Sequence, residues 1–318
     1  MAQFRPAVVG IGATGSVLAA AVLTQIPDAT LVVSRPTAAA TLREHGLQVS
    51  GALSFRVPVR HVVAGMDALR DLKPDLIFLC TKTFHLAPVL AELRGAVRPG
   101  HTAVVSCHNG LGTEDLVAEA FGAASAFRLS LNYGAATAGP GHSEVAFFNP
   151  PNPLGALTPD NRGRGAAIAQ LLTDGGLATE AVDDIQRAVW KKMVLKCTMA
   201  SICAVADMTI REALDYPPTR EIADACFQEA LAVARARGYD LGEDYLDQAI
   251  GYLARVGVHK DSMCHDIEAG RPTEIEFLGG RVVQYGRDRG IPTPYYVAMT
   301  NMVRAVEQRA RARAQDAG

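Results

Sequence analysis

The chain has 318 residues, 49% hydrophobic and 20% charged, with a formal charge of -2. That length points to two cores rather than one, and the near-neutral balance excludes a nucleic-acid-binding surface or a disordered acidic tail, so a small-molecule partner is expected. No run of about 18 uninterrupted apolar residues suggests a membrane span, no secretory leader is read ahead of the first strand, and Cys80, Cys107, Cys197, Cys203, Cys226 and Cys264 lack zinc-site spacing, so reduced thiols in a cytoplasmic protein without metal are expected.

Ala7, Val8 and Val9 read as a short buried strand that meets Gly10-Ile11-Gly12-Ala13-Thr14-Gly15 and turns into an apolar helix of small residues. Each glycine has its own task in a dinucleotide-binding turn. Gly10 permits the sharp bend, Gly12 lets backbone approach a pyrophosphate, and Gly15 lets helix pack close on strand. The helix N-terminus then offers free N–H groups to phosphate. Thr30 to Ser34 reads as a second buried strand, with Arg35 about twenty residues beyond Gly15. An acidic residue there would select a ribose 2′-hydroxyl, whereas Ser34 and Arg35 suit a 2′-phosphate, so NADP(H) is favoured over NAD(H).

Thr41 to His45 reads as helix, and Leu47 to Val49 with Ser54 to Val57 as a small hairpin. Leu76 to Cys80 and Ala103 to Ser106 are continuous apolar runs of the kind that fill a parallel sheet buried on both faces. Ligands bind such sheets outside the carboxyl ends of the strands, which would bring Gly12, Arg35, Lys82 and Asn109 to one crevice. For Lys82 a solvated loop charge is an equal alternative. Phe127 to Tyr133 reads as a further strand, Gly134 to Gly141 as a turn-rich segment, and Glu144 to Phe148 with Pro153 to Leu157 as an antiparallel pair; Leu177 to Val182 would close the sheet.

Strand signals fade after this point, which sets the expected boundary: a dinucleotide-binding domain over 1–182 and a helical domain over 183–318. The fold class is an α/β Rossmann-type N-terminal domain plus an all-α C-terminal domain. Asp183 and Asp184 are N-cap candidates for a long helix from Ile185, on which Lys192, Lys196 and Ala200 share one stripe. Two lysines on one stripe repel, so the face is either wet or occupied by an anion. Further helices are expected over Arg211 to Asp215, Thr219 to Arg237, Asp244 to Val256, Ser262 to Gly270 and from Pro272, where Glu274 and Glu276 fall in the first turn. The last, Pro294 to Ala314, ends in an Arg-rich tail expected to fray.

G-I-G-A-T-G near the start, H-N-G-L-G-T at 108–113, W-K-K at 190–192 and S-M-x-x-D-I-x-x-G-R-x-T-E-I at 262–275 together resemble the ketopantoate reductase (2-dehydropantoate 2-reductase) family, over nearly the whole chain. The resemblance implies NADPH and an α-keto acid held between a dinucleotide-binding domain and a helical one, and reduction of ketopantoate to pantoate, a step of pantothenate biosynthesis. It implies Lys192 as general acid, Asn109 on both substrate and cofactor, Ser262 on the substrate, Glu274 at the reacting end, and Lys82 and Ala135 lining the cofactor. Alkoxide charge builds on the carbonyl oxygen during hydride delivery, so a proton-donating cation suits that position.

Two departures stand out. Lys196 and Ala200 occupy positions that the family usually fills with substrate-binding asparagines, and Asn132-Tyr133 replaces a threonine-histidine pair. Lys196 and Ala200 lead to the expectation of a roomier, more positive pocket for a larger or more acidic 2-oxo acid, with Lys196 as a second anion contact. A reductase or dehydrogenase of the same architecture acting on another 2-oxo or 2-hydroxy acid is the first alternative. A non-catalytic dinucleotide-binding regulator is the second, and Lys192 with Glu274 argues against it. A homodimer is left open.

Overall fold

The computed structural model describes residues 4–316. Its chain divides into two units: the first runs to His108 and resumes over Thr113–Ile185, and the second takes Asn109–Gly112 and the chain from Gln186 onward.

In the first unit the elements in order are β1 (Pro6–Val9), α1 (Ala13–Gln25), β2 (Thr30–Val33), α2 (Pro36–His45), β3 (Leu47–Gly51), β4 (Phe55–Val57), β5 (His61–Ala64), α3 (Ala68–Leu72), β6 (Leu76–Leu79), α4 (Leu86–Leu93), β7 (Ala103–Ser106), α5 (Thr113–Phe121), β8 (Ala126–Leu129), β9 (Tyr133–Gly139), β10 (His142–Phe148), β11 (Asn152–Ala156), α6 (Arg162–Asp174) and β12 (Thr179–Ala181). The large sheet has eight strands in the order β12-β11-β8-β7-β6-β1-β2-β5. From β5 through β8 all neighbours run parallel, and β11 and β12 are antiparallel to them. That parallel order is the doubly wound dinucleotide-binding arrangement. Alternation explains why its strands are apolar throughout. Val8, Leu31, Phe78 and Val105 face α1 and α6, while Ala7, Val9, Ile77 and Val104 face α4 and α5.

A second sheet, β4-β3-β10-β9, departs from the sequence reading. Gly134 to Gly139 is strand rather than turn, with the bend confined to Pro140 and Gly141. Its low strand propensity is overridden by packing. The ring of Phe147 sits where a Cβ on Gly134 would be, 2.5 Å from the Cε1 atom. Nor do β10 and β11 pair with each other: β10 joins β9 and β3, while β11 joins β8 and β12. Pro150-Pro151 lies between them, and proline supplies no ladder N–H. The expected β3–β4 hairpin forms, pairing Leu47 with Val57.

The second unit contains α7 (Ile185–Ala206), α8 (Ile210–Asp215), α9 (Pro217–Ala236), α10 (Tyr245–Val256), α11 (Ser262–Glu268), α12 (Gly279–Arg289) and α13 (Pro294–Asp316). α7 is its core helix, burying Trp190, Met193, Val194, Cys197, Ala200 and Cys203. The helix expected from Pro272 is only a 3-10 turn at Ile275–Phe277, with Glu274 at its N-cap, and the full helix starts later at Gly279. The Arg-rich end of α13 is helical through Asp316 instead of frayed; Ala317 and Gly318 lie outside the described residues.

Candidate active site

The glycine-rich turn of the first unit is built as its spacing requires. Gly10 has φ +91°, and a Cβ there would lie 2.7 Å from the Thr81 nitrogen. A Cβ on Gly15 would lie 2.0 Å from the Gly10 carbonyl oxygen. Gly12 is different: it is exposed, and nothing lies within 4 Å of the place its Cβ would take. It is also the N-cap of α1, with no capping side chain and no acidic residue in the first turn. An uncapped helix start with open space above its amides suits a pyrophosphate.

Ile11, Ala13 and Thr14 complete that turn. Thr14 accepts a 2.9 Å hydrogen bond at its carbonyl from the Tyr133 hydroxyl, which ties β9, the strand carrying Ala135, to the same region. Lys82 follows Thr81, the residue against which Gly10 packs, and is the N-cap of the 3-10 turn Thr83–His85. Arg35 is exposed at the N-cap of α2, whose first turn begins with Pro36 and holds no acidic residue.

The second unit gathers the residues expected to do chemistry. Lys192 Nζ donates a 2.9 Å hydrogen bond to Asn109 Oδ1. Asn109 is held by its loop, because the Leu111 amide donates 2.8 Å to the Phe277 carbonyl. Gly110, at φ +145°, packs so closely on Phe277 that a Cβ would lie 2.8 Å from the Phe277 Cβ. Glu274, three residues before Phe277, accepts at its carbonyl from the Phe277 amide, so loop and turn are fixed together.

One turn along α7, Lys196 Nζ donates 2.6 Å to Asp261 Oδ2 and 2.9 Å to Ser262 Oγ. The anion that lets two lysines share a stripe is therefore the protein's own carboxylate. Burial alone would depress the Lys196 ammonium, but Asp261, with a smaller pull from Glu274, outweighs it and the net shift is upward. For Asp261, burial alone would raise the carboxyl, and Lys196 with the Met263 amide outweighs it, so the net shift is downward. Both groups stay charged.

Two features bear on the expected roomier, more positive pocket. Lys196 adds no uncompensated positive charge, since its ammonium is answered at 2.6 Å. Ala200 is fully buried in the core of the second unit, so it leaves no open volume beside the lysines. Asp261 itself was missed in the sequence. Its signal was ordinary: an aspartate before a helix, which here caps α11 by accepting from the Met263 amide at 2.9 Å. Among the described residues, no group of three or more His, Cys, Asp or Glu side chains is placed to hold a metal ion.

Known proteins agree with this architecture. The family described as "Ketopantoate reductase PanE/ApbA" matches residues 7–157, and its C-terminal counterpart, "Ketopantoate reductase PanE/ApbA C terminal", matches 184–307. The 2-dehydropantoate 2-reductase of Halobacterium salinarum is 28% identical over 305 residues, 96% of this chain and 99% of that one. Solved structures with the same fold include D-mandelate dehydrogenase with NADH and anilino(oxo)acetate, with a TM-score of 0.86 at 23% identity over 96% of this chain and 98% of that one. Another is the 2-dehydropantoate 2-reductase of Geobacter metallireducens, with a TM-score of 0.85 at 24% identity over 95% and 99%. With both halves matched in order along one chain, the protein belongs to the ketopantoate reductase family.

Proposed function

We propose that this protein is an NADPH-dependent oxidoreductase that reduces a 2-oxo acid to the 2-hydroxy acid, with ketopantoate to pantoate as the first candidate reaction. The observation that carries the reading is the Lys192–Asn109 hydrogen bond in a chain of this family. When bound, the reduced dinucleotide supplies a hydride. The part left to the chain is control of charge and of one proton.

As the ketone carbon is reduced, its oxygen acquires alkoxide character and needs a proton. Lys192 supplies both stabilising charge and the proton, favouring the transition state over the neutral ketone. Asn109, accepting from the lysine at 2.9 Å, aims the ammonium and keeps its own amide N–H₂ to donate. Glu274 contributes a carboxylate that favours the protonated lysine. Ser262 is exposed and offers its hydroxyl to the substrate carboxylate. The turn Gly10, Ile11, Gly12, Ala13, Thr14 and Gly15 takes the pyrophosphate, with Lys82 and Ala135 along the dinucleotide. Arg35 takes the 2′-phosphate. The reading places the enzyme in the cytoplasm; among the described residues no helix is long and apolar enough to cross a membrane.

The test is loss of the reduced-cofactor absorbance with ketopantoate and a panel of other 2-oxo acids. Turnover of ketopantoate with the highest kcat/KM supports the reading as stated. A second reading, a different preferred 2-oxo acid, is favoured by Lys196 and Asp261 standing beside Ser262. Absence of turnover with every acid would remove both.

Cofactor choice gives a separate expected result. NADPH should bind more tightly than NADH, since a guanidinium–phosphate contact contributes about 1.5–3 kcal/mol. Arg35→Ala should shrink the difference while leaving NADH affinity close to unchanged, as titration of intrinsic or cofactor fluorescence will read. Equal affinities in the unmodified protein would overturn the assignment.

A further inference from the structure

We infer that Asp261 is a specificity-determining residue: by pairing with Lys196 it withholds that ammonium from the substrate and restricts the site to 2-oxo acids with a single carboxylate. The inference rests on the proposed 2-oxo acid reaction and adds what decides among such acids.

Three observations carry it. First, the pair is close and sheltered: Nζ to Oδ2 is 2.6 Å, and the Lys196 and Asp261 side chains are 17% and 7% exposed. An ion pair with so little water around it is weakly screened, and separating it to admit another anion would leave Asp261 buried without its counter-charge. Second, Asp261 is fixed by more than the lysine. Its Oδ1 accepts from the Met263 amide at 2.9 Å, so the carboxylate cannot swing aside without uncapping α11. Third, Glu274 adds to the pull of Asp261 on Lys196, so two carboxylates of the protein already answer that ammonium, and a second substrate carboxylate would meet like charge there.

The same bridge orients Ser262. Lys196 donates to its Oγ at 2.9 Å, which occupies a lone pair and leaves the hydroxyl proton to be given away. In this structure the hydroxyl makes only a long 3.4 Å contact to Asp261 Oδ1 among the described hydrogen bonds it donates, which a substrate carboxylate would replace. Lys196 therefore acts on the substrate through Ser262, as a positioning residue, and Asp261 acts through Lys196.

The experiment is steady-state kinetics of wild type, Asp261→Asn and Asp261→Ser with two classes of acid. One class has a single carboxylate (ketopantoate, 2-oxoisovalerate); the other has two (2-oxoglutarate, oxaloacetate). Both variants keep an oxygen able to cap α11 while removing the charge. The freed ammonium should raise the dicarboxylate-to-monocarboxylate ratio of kcat/KM by about ten- to a hundredfold, the scale of one charge-assisted contact. Adding Lys196→Gln to either variant should cancel the rise. A merely structural role for Asp261 would lower both classes alike and leave the ratio unchanged, which overturns the inference, as does a wild type that already prefers dicarboxylic acids. If wild type oxidises NADPH with no acid of either class, the reaction itself is misassigned and the inference falls with it; turnover by wild type with an unmoved ratio in both variants removes the inference alone.

Discussion

Lys192→Ala should lower kcat on the preferred 2-oxo acid by about 10² to 10⁴, the usual loss for a positioned general acid, and leave the dissociation constant of NADPH nearly unchanged. The expectation comes from geometry within one unit. Lys192 is half-buried on α7, and its ammonium is already aimed by Asn109. Its neighbour serves as the control. Lys191 is exposed, and it is its backbone carbonyl that accepts the Tyr245 hydroxyl, so Lys191→Ala removes a solvated side chain and keeps that bond. Single-turnover measurement of cofactor oxidation will separate the chemical step from product release. A kcat within a factor of about three of wild type would remove Lys192 from the acid role, because no smaller contribution fits a proton donor to a developing alkoxide. Asn109→Ala should follow in the same direction with a smaller loss, since it removes the orienting partner but not the proton.

How much of this was legible beforehand depends on whether the signal was local. The glycine-rich turn was, because each glycine answers to a nearby steric demand: Gly15 lies against Gly10 five residues away. The central strands were also legible, as a sheet covered on both faces needs unbroken apolar runs. What failed was set by distant partners. Gly134 to Gly139 has turn composition and becomes a strand because β10 brings Phe147 over Gly134. α12 starts with two glycines, poor helix formers, yet a Cβ on Gly279 would lie 2.6 Å from Thr300 Oγ1, so packing against α13 selects glycine there. The crossover helices α4, α5 and α6 were not read from the sequence. In the candidate site, Lys192 and Ser262 were singled out through the family resemblance. The partner of Lys196 was not, because Asp261 lies 65 residues away and no spacing rule connects them.

Arg128 is the other residue the sequence reading passed over, and its loss should be the most damaging to stability. It lies on β8 and is 1% exposed, and its Nη1 stands 3.4 Å from Glu114 Oε2, whose side chain is 0% exposed. It also donates to the Ser106 hydroxyl at 3.0 Å, to the Thr113 hydroxyl, and to the His108 carbonyl at 2.5 Å. Those contacts grip both ends of the excursion Asn109–Gly112, so the guanidinium fixes the root of the loop that presents Asn109. His108 does not share the charge: burial, with the guanidinium beside it, lowers its imidazole to about 3, and it is neutral at working pH. The ion-pair partner of the guanidinium is Glu114, in the first turn of α5. Arg128→Met keeps most of the volume but strands a buried carboxylate, and should lower the unfolding free energy by about 3–5 kcal/mol. Adding Glu114→Gln should restore a large share of that loss, since the stranded charge disappears with it. Denaturant unfolding of the two single variants and the double variant measures the coupling. A single variant within about 1 kcal/mol of wild type, or a double variant no better than Arg128→Met, would show that the pair does not hold the loop through its charge.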